Sequence, residues 1–536
     1  MKRLYFFLLS VLVCLSLSAQ NKVSGDSLAA DFHYLVKQLE AAHPDPYTGF
    51  GGKVFFHKQA FDLENELRSQ PHTLQEFWDK SMAFLSFIQD GHTYLFSLAS
   101  KQQQEQSYLP VGFRCIPDGL IVQSLPAAHQ DLLGSLLVGI NGKSMDELLA
   151  RTASLFACEN LYNRYSVFCR NVVRRQFMQQ LLPDLEDTVC FYLRTPDGKD
   201  VTLEQHFMEN EELRKAEKVN LPSWVGCPEE QIAYRFIDKK KEVMMFKVNS
   251  IMARDNFEYM YKHMKGDLLR QMEFYYQSAL KKEMPADTLQ AIRALPSFSG
   301  TFAAMLKEMK KHHSEYLIID LRGNSGGWTP IVLASLYQLY GDKYLQKDMD
   351  TEYYRIVSPL YMNKLEITLE EFNRRYGTDY SFGDYTFSMK EQEDIPLDTL
   401  RRQFIDGCMS SVKEELRAQK GAPVYAPKQV FVVTDERTFS AAFHYAFMLW
   451  KMGATVVGVP SGQAPNTFME QTLFKLPYTG IEGSISNSVQ IFLPGKDKRA
   501  KTFWPDVMLT YDEYKQTGFD KQAEILFLLN KIGQEK

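Results

Sequence analysis

Apolar positions follow three different rhythms along the chain. Within residues 27–89 they recur at three- and four-residue steps, as in Phe32, Leu35 and Leu39, and again in Leu74, Trp78, Met82 and Leu85. That repeat predicts amphipathic helices burying one face. His43-Pro44-Asp45-Pro46 separates the two runs, since proline does not fit a helix interior. Within 108–190 the rhythm shortens. Leu109-Pro110-Val111-Gly112-Phe113 opens a short strand, Gly119-Leu120-Ile121-Val122 makes another, and residues 134–142 read as a strand closing on the turn signal Asn141-Gly142. From Ile232 onward, unbroken apolar runs alternate with helical stretches: 243–248, 316–320, 429–433 and 454–458. A run with no polar alternate suits a strand covered on both faces, which predicts an α/β layer structure. Residues 268–297 and 344–427 interrupt it with mixed charged and aromatic sequence, expected to be insertions around a site. The units predicted are therefore a helical region at 20–104, a β module at 105–225 and an α/β core at 226–536.

Composition narrows the function classes. The 536 residues are 45% hydrophobic and 13% aromatic, enough to bury a large core, which excludes intrinsic disorder. With 61 Lys and Arg against 66 Asp and Glu the formal charge is −5, and no basic stripe supplies the phosphate-neutralising charge that nucleic acid requires. No repeat of 20–50 residues marks a solenoid.

The first residues carry Lys2 and Arg3, an apolar run from Leu4 to Leu15 broken by Ser10, and then Ser16-Leu17-Ser18-Ala19. This is the pattern of a secretory signal over 1–19, too short to span a membrane, so a secreted or periplasmic protein with no transmembrane segment after its removal is expected. Export permits disulfides, but Cys115, Cys158, Cys169, Cys190, Cys227 and Cys408 have uninformative spacing, and bridges and buried thiols stay equally open. The histidines lack metal-binding spacing, so no zinc, other metal or cofactor is expected.

Three segments carry candidate chemistry. Leu321-Arg322-Gly323-Asn324-Ser325-Gly326-Gly327 follows the run ending at Asp320; such a turn presents backbone N–H groups to an anion or oxyanion, though no Gly-Lys-[Ser/Thr] makes it a phosphate loop. Ser440 sits between the run ending at Val433 and a helix apolar nearly all round, where the Ala441 N–H can donate to an oxyanion. Taken alone, a serine there is more often a helix cap. Asp90-Gly91-His92-Thr93 joins the helical region to the β module, and its glycine suits a turn presenting an imidazole, the usual base for activating serine.

In order along the chain, residues 319–327, Phe439-Ser440-Ala441-Ala442 and Trp504-Pro505-Asp506-Val507 resemble the catalytic domain of tail-specific, C-terminal-processing serine peptidases, and Asp90-Gly91-His92-Thr93 is similar to the branch containing the tricorn core. Between them, residues 134–142 resemble the Gly-Asp-x-Ile-Leu-x-Ile-Asn-Gly signature of PDZ domains, with Ser135 in place of the acid, and Val111-Gly112-Phe113 resembles their carboxylate-binding loop. The resemblance implies a crotonase-like ββα-spiral core with a PDZ-like β module and an N-terminal helical domain. It also implies Ser440 as nucleophile, His92 as base, and oxyanion donors from Gly326 or Gly327 and Ala441.

The chain departs from the pattern in several places. Residues 463–467 hold no lysine base, and Lys451 is eleven residues along one helix from Ser440, about 16 Å. Gly91 replaces a serine, and Arg499-Ala500-Lys501 stands where a glutamate is placed. The acid that orients His92 is therefore open among Asp90, Glu470 and Asp506, and His444, one turn after Ser440, is a rival base. The expected function is an exported serine endopeptidase acting on peptides or unfolded protein tails. The rival reading is an inactive peptide-binding protein on the same fold; an α/β-hydrolase esterase lacks its Gly-x-Ser-x-Gly signature here.

Overall fold

Four unbroken apolar runs lie side by side. In the computed structural model, which describes residues 22–98, 107–224, 230–387 and 395–534, Val243–Val248, Tyr316–Asp320, Gln429–Thr434 and Thr455–Gly458 are parallel neighbours in that order, with Ile232–Phe236 antiparallel at one edge. Successive side chains leave a strand on opposite faces. Met244, Phe246, Leu317, Ile319, Val430 and Val432 pack under the helices Phe298–His312, Pro330–Tyr340 and Ala441–Lys451. Met245, Tyr316, Ile318, Phe431 and Val433 face the C-terminal helix Ala523–Gln534 and Ile116 and Ile121 of the β module. Burial on both faces is why these runs carry no polar alternation. The expected leader and Cys227 lie outside the described residues; the other five cysteines are free thiols.

A buried charge network fixes the three parts at the strand end. Arg322 pairs with Asp320 at 2.9 Å and with Glu524 of the C-terminal helix at 2.7 Å, and Glu524 also takes Arg114 of the β module at 2.7 Å.

The β module is a seven-stranded sheet whose main path runs Lys218–Asn220, Gly119–Pro126, Leu136–Ile140, Thr188–Arg194, Asp200–His206. Gly112–Ile116 pairs with Gly119–Pro126, and Val111 and Phe113 are buried in the module's own core beside the helices Leu161–Asn171 and Arg175–Leu181. Gly112 packs closely there, where a Cβ would displace the Ser124 hydroxyl.

The N-terminal helices Gly25–Ala42, Lys53–Ser69 and Leu74–Ser86 share a core with Phe474, Leu476, Ile481 and Ile485. The last four belong to a long hairpin, Asn466–Lys475 with Glu482–Ile491, that the apolar pattern did not announce. Its buried positions include Ser484, Ser486, Asn487, Ser488 and Gln490, so a fully covered strand reads as polar sequence. Residues 344–427 contribute to this same sheet: Glu352–Ile356 pairs with the hairpin, and Tyr385–Phe387 pairs with Glu352–Ile356. Residues 268–297, by contrast, belong to a separate helical cluster around Met272, Tyr275 and Ile292. No helix among the described residues is long and apolar enough to cross a membrane.

Candidate active site

Two turns at the carboxyl ends of neighbouring parallel strands close on each other. Gly323 N–H donates to Asp435 Oδ2 at 2.8 Å, Thr438 Oγ1 donates to the Leu321 carbonyl at 3.2 Å, and Phe439 N–H donates to the Asn324 carbonyl at 3.1 Å. At their contact stands Gly326 with φ +106. A Cβ there would come within 2.6 Å of Ser440 Cβ and 2.9 Å of the Ala441 nitrogen. Glycine is thus what brings the first turn against Ser440.

Ser440 is strained. Its φ of +53 and ψ of −128 fall in a region that a residue with a Cβ rarely occupies, and its side chain makes no cap hydrogen bond to the helix Ala441–Lys451. The expected alternative, an N-cap serine, needs an extended backbone and a side-chain acceptor for the first turn; here the Ser440 N–H is instead taken by Gln463 Oε1. Backbone strain held by surrounding packing is concentrated at functional positions. Of the three amides anticipated as oxyanion donors, that of Gly326 is already given to Asn324 Oδ1 at 2.9 Å. Gly327 and Ala441 remain, the latter at the first turn of the helix, where N–H groups have no intrahelical partner.

His92 lines the same cleft, about 2540 Å³ in volume, as do Gly326, Gly327, Phe439, Ser440 and Glu470. Its ring packs on Phe439, centroids 4.9 Å apart. Nδ1 is buried without a hydrogen-bond partner and sits 3.8 Å from both Asp90 Oδ1 and Glu159 Oε1. Burial lowers the imidazole's pKa, with Asp90 opposing. The Phe468 backbone, like Asp90, favours the ring's charged form.

The carboxylates around it differ in state. Burial would raise Asp90, but the hydrogen bond and charge of His43, with His92, outweigh it and hold Asp90 down to about 2. Asp90 Oδ1 also accepts the His92 N–H at 2.8 Å. Glu159 is pushed up to about 8, first by burial and then by Asp90. It accepts the amides of Gly91 at 3.3 Å and Ala464 at 2.9 Å. Glu159 escaped the sequence reading, because Cys158-Glu159-Asn160 lies between two helices in the β module and nothing local marks it.

The other anticipated residues sit elsewhere. Glu470 is engaged by Arg355 at 2.6 Å and Lys364 at 3.5 Å. Asp506 Oδ2 accepts the Val456 N–H at 2.8 Å, at the start of the strand Thr455–Gly458. Both ring nitrogens of His444 are occupied, Nδ1 by Thr329 and Nε2 by Gln490, each at 2.8 Å, and burial lowers its pKa to about 4. Lys451 pairs with Asp350 at 2.6 Å.

Residues 291–482, which span both interlocked turns, match the model of peptidase family S41. This is a family S41 peptidase segment. The chain is accordingly a serine-type peptidase, a hydrolase whose substrates are peptides or proteins. His92 and Glu159 lie outside the S41 match and come to it through the fold. Among solved structures, mature CPAF aligns with a TM-score of 0.55 at 14% identity, over 95% of this chain and 98% of that one. Mature CPAF complexed with lactacystin gives 0.53 at 15%, over 94% and 97%. At such identity the likeness is one of fold. No curated protein sequence matches the chain.

Proposed function

We propose that the chain is an exported serine endopeptidase, cleaving peptides or protein C-terminal tails, in which Ser440 is the nucleophile and His92 the general base. The observation that carries the reading is the strained, uncapped Ser440 pressed by Gly326 into the cleft that His92 also lines.

In the reaction, His92 adopts the tautomer with Nδ1–H toward Asp90 and Glu159, so that Nε2 accepts the Ser440 proton. Ser440 Oγ attacks the scissile carbonyl while the Gly327 and Ala441 amides receive the oxyanion. Nε2 then gives its proton to the leaving amine, and water repeats the sequence on the acyl-enzyme. Asp90, ionised at neutral pH, stabilises the imidazolium; Glu159 shares the position beside Nδ1. The core in this reading is the crotonase-like spiral and the β module is PDZ-like, with Val111-Gly112-Phe113 offering backbone to a substrate tail. The signal at 1–19 would deliver the protein to the periplasm or exterior.

The inactive, peptide-binding alternative draws on the unpartnered Nδ1 of His92, to which no carboxylate is hydrogen-bonded. A fluorophosphonate separates the two. Labelling of the wild type that vanishes in Ser440→Ala, with casein cleavage lost in parallel, is expected; an unlabelled wild type that leaves casein intact overturns the peptidase assignment.

A further inference from the structure

Asp90, His92 and Glu159 each offer one ligand atom, and these atoms lie within 4.8 Å of one another, all three residues being buried. The 3.8 Å from Nδ1 to each carboxylate oxygen is too long for a hydrogen bond. It is close to the roughly 3.3 Å that separates two ligands on one tetrahedral zinc with bonds of about 2.0–2.1 Å. The buried, unpartnered Nδ1 points into that gap. In the neutral tautomer with hydrogen on Nε2, Nδ1 carries the ring's lone pair and can take a metal. The carboxylates are also held from behind, Asp90 Oδ2 by His43 at 3.3 Å and Glu159 by the Gly91 and Ala464 amides.

We propose that Asp90, His92 Nδ1 and Glu159 form a binding site for a zinc-like divalent cation that switches the peptidase off. One imidazole, two carboxylates and an open fourth position suit zinc among the divalent metals. The inhibitory part rests on His92 being the base. Metal on Nδ1 fixes the tautomer with hydrogen on Nε2, which cannot accept the Ser440 proton, so the metal-bound and catalytic forms exclude each other.

The test uses Ser440→Ala protein, so that binding is read without activity. Calorimetric titration with zinc chloride should find one tight site per chain, weakened at least tenfold by adding Glu159→Gln or Asp90→Asn. Crystals grown with zinc should show an anomalous peak about 2.0–2.2 Å from Nδ1 and a carboxylate oxygen, a readout that stands even if a variant fails to fold. A peak confined to exposed pairs such as His33–Glu64 or His57–Glu40, or none, overturns the site. In the wild type, zinc should slow fluorophosphonate labelling at least tenfold and EDTA should restore it; zinc bound at the trio with labelling unchanged overturns the inhibition. A wild type unlabelled even in EDTA counts against the peptidase assignment, and the titration still decides the metal site.

Discussion

The ring of His92 rests on that of Phe439, so the residue immediately before Ser440 also sets where the imidazole lies. Gly91 is fitted to the same ring, since a Cβ there would meet Phe439 Cζ at 2.7 Å. Besides the core they share, the helical region and the S41 segment thus meet through a ring contact beside Ser440. Phe439→Ala should leave the fold intact but free the imidazole to shift. Displacements of about 1 Å cost on the order of 100-fold in rate, so fluorophosphonate labelling of Ser440 should slow by about 10- to 100-fold while melting remains cooperative. An unchanged labelling rate would remove Phe439 from the positioning of His92.

Much of this arrangement is legible in the sequence because it is written in backbone requirements. The four buried strands announce themselves as unbroken apolar runs, and Gly326 and Gly327 mark a turn that must approach something closely. The hairpin 466–491 is illegible for the opposite reason: Ser484, Ser486, Asn487 and Gln490 are buried yet polar, satisfied by neighbours that only tertiary structure supplies, as when Ser486 N–H donates to Thr93 Oγ1. Glu159 is hidden in the same way. Its significance comes from Gly91, Ala464 and His92, all distant in sequence. Glu470, attractive on position alone, is claimed by Arg355 and Lys364, whose segment looked like an insertion.

Gly326 and Gly323 provide a matched pair. Both have positive φ, +106 and +78, but a Cβ on Gly323 meets nothing within 4 Å, whereas one on Gly326 strikes Ser440 and Ala441. Gly323→Ala should cost only the left-handed backbone penalty, about 1–2 kcal/mol, and retain labelling. Gly326→Ala should separate the two turns and abolish labelling, with a larger loss of melting temperature. Equal labelling in the two variants would refute the close approach as the reason for glycine.

Asp90 and Glu470 can be told apart by charge removal. Asp90→Asn takes away the ionised carboxylate beside Nδ1 and should lower the labelling rate by about 100-fold or more, along with stability, because His43, Thr93 and the His92 amide also depend on it. Glu470→Gln disturbs only the Arg355 and Lys364 pairs and Ser488, so labelling should stay within about threefold of wild type. The reverse pattern would assign the orienting role to Glu470.

Glu159 predicts a pH dependence of stability with a definite sign. Its carboxyl is pushed from 4.5 up to about 8, chiefly by burial. Between those values the folded chain therefore holds a proton that the unfolded chain has lost. Stability falls with rising pH wherever the native state binds more protons, so the penalty from Glu159 starts near pH 4.5, grows to about pH 8 and is constant above. Glu159→Gln removes that titration at the fixed cost of one mismatched hydrogen bond to Gly91 or Ala464. Buried Glu436, also raised to about 8, and Asp90, lowered to about 2, titrate in both proteins and largely cancel in the comparison. The melting temperature of Glu159→Gln, measured against wild type from pH 5 to pH 8.5, should accordingly gain on it as pH rises and stop gaining above about pH 8. A difference that is flat across the range would mean that Glu159 is ionised in the folded protein, with its charge balanced by His92.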